Sequence, residues 1–135
     1  MITKKELWRF RQAGVEIEGL KMQIQELTAT LDGLKAQQIT DMPKGGNVPH
    51  SAIEDAIIRL ESLRELYASK IGAWYTRQGE IEVAMSCLEP KEAAVIRSYY
   101  FRRAPSWETV AMEVGNDLRN VTRIHGKALE KMRTA

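Results

Sequence analysis

An all-α fold is expected, built as a long antiparallel coiled-coil hairpin followed by a small C-terminal helix-turn-helix domain. Three observations predict it. Apolar residues recur at heptad spacing through most of residues 1–87, one Pro- and Gly-rich segment at about 40–50 interrupts them, and beyond Cys87 the pattern breaks into short amphipathic runs.

The first run places Phe10, Ala13, Ile17, Leu20, Ile24, Leu27, Leu31 and Leu34 in a regular three-four alternation, the seam of a coiled coil. Such a helix cannot bury its stripe alone and needs a partner. The second run supplies one, with Ile53, Leu60, Tyr67, Trp74, Ile81 and Leu88 spaced by seven and Ala56, Ile57, Leu63, Ile71 and Met85 flanking them. Gly72 and Gly79 fall in this second stripe, where they suggest close packing or a bend. Between the runs, Pro43, Gly45, Gly46, Asn47 and Pro49 form a turn, and Ser51 is positioned as an N-cap. "PKGG" is not a phosphate-binding loop, because such a loop needs its Lys right after the last Gly with Ser or Thr next, and here the Lys precedes the glycines.

From Leu88 the elements are short. Pro90 suits a first helical turn, with Glu89 and Glu92 near the positive end of the helix dipole, and that helix runs to about Phe101. Ser106 can cap a helix over Trp107–Val114, Gly115 can end it, and Asp117 can cap the last helix. On a helical wheel the last run gathers Val121, Ile124, His125, Ala128, Leu129, Met132 and Leu118 on one arc. Arg119, Asn120, Thr122, Arg123, Gly126, Lys127, Glu130 and Lys131 lie on the other.

Net charge is only +2, but its distribution is uneven. Residues 88–135 hold nine Lys and Arg against six acids, the remaining 87 residues eleven against twelve, and residues 118–135 five against one. Positive charge concentrated on one helix is the electrostatic mark of a nucleic-acid binder. Arg119 and Arg123, one turn apart, could each offer a bidentate fork to guanine, with Asn120 and Thr122 beside them. Lys127, Lys131 and Arg133 suit phosphates.

Other function classes find little in the chain. No apolar run approaches the ~20 residues of a membrane span, and "MITKKELWRF" is not a signal-peptide core, so a cytoplasmic protein is expected. Cys87 with His50 and His125 gives no metal-ligand spacing; Cys87 reads as a small core residue and His125 as a buried, hydrogen-bonded one. No catalytic constellation or nucleotide fingerprint is legible, and neither enzyme activity nor a cofactor is expected. The aromatic residues read as core and seam, except Trp8, which precedes the main seam and is expected to be half exposed or part of an oligomer contact.

Three motifs carry a resemblance: "L-x-P-K-E-x-x-V-I-R-x-x-Y" at 88–100, "S-W-E-x-V-A-x-E-V-G" at 106–115 and "V-x-R-I-H-G-K-A-L-x-K" at 121–131. Together they resemble the C-terminal helix-turn-helix, region four, of bacterial sigma factors. With the heptad hairpin and "DMPKGG", the chain is similar to phage and prophage sigma-like regulators such as the ArpU and RinA late-gene regulators. The resemblance implies a transcription regulator in a bacterial host, with a recognition helix at about 118–132 in the major groove of double-stranded DNA. It admits RNA polymerase as a further partner. Where sigma factors typically hold Glu and Gln at the base-reading positions this chain holds Arg119 and Arg123, and Leu118 stands where Arg usually follows the cap, which points to a different, G-containing site. A single helix-turn-helix binds weakly, so the hairpin over 1–87 is expected to oligomerise the domain over 88–135. The rival reading is a structural or interaction protein that binds RNA polymerase or serves DNA packaging, as a small terminase subunit does.

Overall fold

The computed structural model describes residues 1–40 and 50–134, with 38–40 and 50 by backbone only. Among them there is no strand. The order is α1 (Lys4–Thr40), α2 (His50–Ala84), a single 3₁₀ turn (Met85–Cys87), α3 (Pro90–Ile96), which widens into a π-helical turn (Arg97–Phe101), α4 (Trp107–Val114) and α5 (Leu118–Thr134). The all-α hairpin and short C-terminal helices expected from the heptads are therefore present. The turn drawn around "PKGG" lies outside the described residues. Because α2 begins at His50, Ser51 sits inside its first turn and is not the N-cap.

The chain forms two compact units. One comprises Met1–Glu16 and Gly72–Ala135, the other Ile17–Ile71. The division falls within the long helices and not at Cys87, because the short C-terminal helices need apolar surface from α1 and α2 to complete their core. Leu7 and Phe10 of α1, Ile81 of α2 and Met85 of the 3₁₀ turn join Ala93, Ile96, Tyr100, Phe101, Ala128 and Met132 in one cluster. Phe10 stacks on Trp74 at 4.5 Å between ring centroids and meets Phe101 edge-on at 5.2 Å. Trp74 Nε1 donates to the Phe10 carbonyl at 3.1 Å, so the half-buried indole packs on the core without stranding its polar atom. In the other unit, Leu31, Ile53 and Leu60 form a smaller cluster flanked by half-buried Ile24, Leu27, Leu34, Ala56 and Ile57.

The π-helical turn explains how three consecutive aromatics are used. The Arg102 N–H bonds back to the Arg97 carbonyl at 2.8 Å, five residues away, which brings both Tyr100 and Phe101 inward while Tyr99 stays half exposed. Arg11 then straps the segment that follows. Its guanidinium donates to the carbonyls of Tyr99 (3.3 Å) and Ala104 (3.1 Å) and lies 4.4 Å over the Tyr99 ring.

The crowded glycine is not one of the two in the α2 stripe. A Cβ at Gly72 or Gly79 would meet nothing within 4 Å, so neither marks close packing. Gly14 does: a Cβ there would come within 3.0 Å of the Arg103 side chain and 3.2 Å of Trp74 Nε1. Gly115, at φ 71°, occupies the left-handed region that ends α4.

Two opposite outcomes are expected in urea denaturation. Gly72→Ala and Gly79→Ala should each raise stability by up to about 1 kcal/mol, since both are exposed helix-interior sites with open space. Gly115→Ala should lower it by about 1–2 kcal/mol through its backbone angle alone.

Candidate nucleic-acid interface

The helix-turn-helix is assembled from local signals. The Ser106 hydroxyl accepts from Thr109 N–H at 3.2 Å and starts α4. At the other end Gly115 and Asn116 both return their N–H groups to the Ala111 carbonyl. Asp117 Oδ1 accepts from Asn120 N–H at 2.7 Å and starts α5, so the connection is the three-residue turn Gly115-Asn116-Asp117. Val110 and Ala111 of α4 pack with Val121 and Ile124 of α5 over Val95 and Ala104.

The inner face of α5 is fixed at several depths. Val121, Ala128 and Met132 are wholly buried. His125 lies 4.5 Å from the Trp107 ring, and its Nε2 shares a 2.8 Å hydrogen bond with the Tyr100 hydroxyl. Burial, aided by the positive charge of Lys4, pushes the imidazole pKa down to about 4, and burial pushes the Tyr100 phenol up. Ile2 N–H bonds to the Met132 carbonyl at 3.2 Å, tying the N-terminus to the end of α5.

The outer face holds Arg119, Thr122, Arg123, Gly126, Lys127, Glu130 and Arg133, all exposed. Arg119, Arg123 and Lys127 form one stripe at four-residue steps, about 12 Å long. None of the three is in an ion pair with a described residue. Arg123 Nη2 donates to Asn120 Oδ1 at 2.7 Å, and the Asn120 amide donates to Asn116 Oδ1 at 2.6 Å, which orients the guanidinium and leaves most of its donors outward. The Thr122 hydroxyl donates to the Leu118 carbonyl at 2.9 Å.

Lys131 is engaged within the chain. Its Nζ donates at 2.8 Å to Glu92 Oε1, which also accepts from Glu89 N–H at 2.9 Å. Burial favours the neutral acid at Glu92, but the Lys131 hydrogen bond, the Glu89 N–H and the charges of Lys131 and Lys127 outweigh it and hold the carboxyl below its ordinary value. A groove of about 390 Å³ beside this pair is lined by Lys91, Asn120, Arg123 and Lys127 together with Glu89, Glu92 and Glu130. Lys91 was not singled out in the sequence, because nothing in linear spacing joins it to α5.

No family model, curated protein or solved structure matches this chain. Two residues stand elsewhere than expected, Leu118 from the helical wheel and Cys87 from its reading as a small core residue. Leu118 is 42% exposed, because α5 starts with it and the first turn overhangs the core. Cys87 is exposed, since the 3₁₀ turn carries it out while Met85 points in. His125 is buried and hydrogen-bonded as expected, and Trp8 is 44% exposed beside Tyr99. Gly126 is open, with no neighbouring helix against it. Among the described residues no cluster could hold a metal ion.

The buried imidazole makes stability pH-dependent. Unfolded His125 takes up a proton near 6.5, while the folded form resists until about 4, so stability is full above 6.5 and falls by roughly 2–3 kcal/mol as pH drops to 4.5. Urea midpoints at pH 7 and 4.5 should reveal this fall in the wild type and a much flatter response in His125→Phe.

Proposed function

We propose that the protein is a sequence-specific, double-stranded DNA-binding regulator of transcription, with α5 entering the major groove. One observation carries the reading: the stripe Arg119, Arg123 and Lys127, exposed and in no ion pair with a described residue, on the second helix of a pair joined by a three-residue turn. Its length of about 12 Å suits a major groove about as wide. The resemblance that the motifs at 88–100, 106–115 and 121–131 bear to sigma region four, and that the hairpin adds to phage late-gene regulators, points the same way. No enzymatic chemistry is part of it.

Roles follow from position. Arg119, at the start of α5 with its guanidinium free, reads a guanine through O6 and N7. Arg123, steadied by Asn120, reads a second base one turn along. Leu118, exposed beside Arg119, offers methyl groups to a thymine. Asn120 is already bonded to Asn116 of the turn and Thr122 to Leu118 of α5, and both act by orienting the helix and by contacts at the groove edge. Lys127, with Lys91 and Arg133, neutralises phosphates, whereas Lys131 is held back by Glu92 and contributes chiefly field. Open space at Gly126 allows backbone to approach the DNA closely. One such unit supplies half-site contacts, and pairing of two chains doubles them.

The deciding experiment selects bound fragments from a random DNA pool at ~150 mM salt, where counterion-driven binding is suppressed. Recovery of a G-containing motif is expected. Arg119→Ala and Arg123→Ala should each cost about 1–3 kcal/mol and relax preference at one position. Lys127→Ala should weaken binding uniformly and lower the salt slope by about one. No enrichment from folded protein would assign this face to a protein partner, RNA polymerase or a packaging component, and sink the reading.

A further inference from the structure

Unit Ile17–Ile71 is thinly packed. Among its described residues only Ile17, Leu31, Ile53 and Leu60 are buried hydrophobics, while the seam residues Leu20, Ile24, Leu27, Leu34, Leu63, Tyr67 and Ile71 remain half exposed. Two helices alone cannot enclose a stripe wider than one seam, so these seven side chains stay partly in solvent while the four buried ones are covered.

One flank of this hairpin carries a groove of about 300 Å³. Its apolar floor is Leu27 of α1 and Leu63 of α2, and its rims are Gln23, Glu26 and Thr30 on one side and Arg59 on the other. Glu26 and Arg59 are both exposed, and neither is ion-paired with a described residue. Met22, 54% exposed, lies one turn before Glu26, and Leu66, 45% exposed, lies about one turn after Leu63. The flank is therefore an apolar strip with one unpartnered acid on one rim and one unpartnered base on the other.

We infer that this groove is the homodimer interface and that its occupant is the same groove of a second copy. A two-fold axis through a surface sets residue i against j and j against i, so an acid and a base on opposite rims become two equivalent ion pairs. Glu26 of each chain faces Arg59 of the partner subunit, the Leu27 and Leu63 floors close on one another, and Met22 and Leu66 are covered. An unrelated acidic or basic peptide would satisfy one rim and oppose the other. The inference concerns the hairpin alone and stands independently of whether α5 binds DNA.

The test is sedimentation equilibrium of the full chain without DNA. The wild type is expected to dimerise. Glu26→Arg and Arg59→Glu should each weaken self-association by about tenfold or more, because each sets like charges together at two symmetric places. An equimolar mixture of the two variants should recover a 1:1 heterodimer, since one chain then carries two bases and the other two acids. Both side chains are exposed, so circular dichroism should match the wild type. A wild type that stays monomeric at every concentration, charge reversals that leave association unchanged, or a mixture that does not recover would each overturn the inference.

Discussion

Everything that α5 displays outward depends on how firmly its inner face is held. Val121, Ala128 and Met132 have no solvent exposure, and the His125–Tyr100 hydrogen bond fixes rotation about the helix axis at the same level. A 17-residue helix in water would be marginal by itself. Burial therefore does two things at once: it stabilises the helix and it selects which side chains can reach a partner.

That anchorage is a shared construction. The first ten residues of α1 and the last turns of α2 supply Leu7, Phe10 and Ile81, without which α3 and α5 would leave Ile96, Ala128 and Met132 against water. The π-helical turn adds Tyr100 and Phe101 to the same core, and Arg11 closes the chain that follows through two backbone carbonyls. A helix-turn-helix of this size has too small a core to stand on its own two helices, which is why the long helices are recruited into it.

Polar economy on α5 is equally specific. Five cations are present over 118–135, yet Lys131 is bonded to a buried carboxylate, so the accessible charge runs Arg119, Arg123, Lys127 and then Arg133. Arg133 shares its charge with Glu130 at 3.6 Å. Arg119 and Arg123 thus sit in the N-terminal half of α5, next to the turn, with Lys127 just beyond its middle.

Local chemistry in the sequence determined much of this protein. Heptad spacing gave two long helices, because a repeated apolar stripe has only one way to hide. Ser106, Gly115 and Asp117 marked the ends of α4 and the start of α5, since capping and left-handed backbone depend on the residue itself. The 3.6-residue period separated Val121, Ile124, His125, Ala128 and Met132 from Arg119, Arg123 and Lys127. Tertiary structure alone decided the rest: that Leu118 and Cys87 lie outside, that Glu92 captures Lys131, that Lys91 lines one groove with Arg123 and Lys127, that Gly14 and not Gly72 or Gly79 meets a neighbour, and that the division between the two units falls inside α1 and α2. Each of these depends on which distant surface arrives opposite a residue, and periodicity carries no information about what stands across the gap.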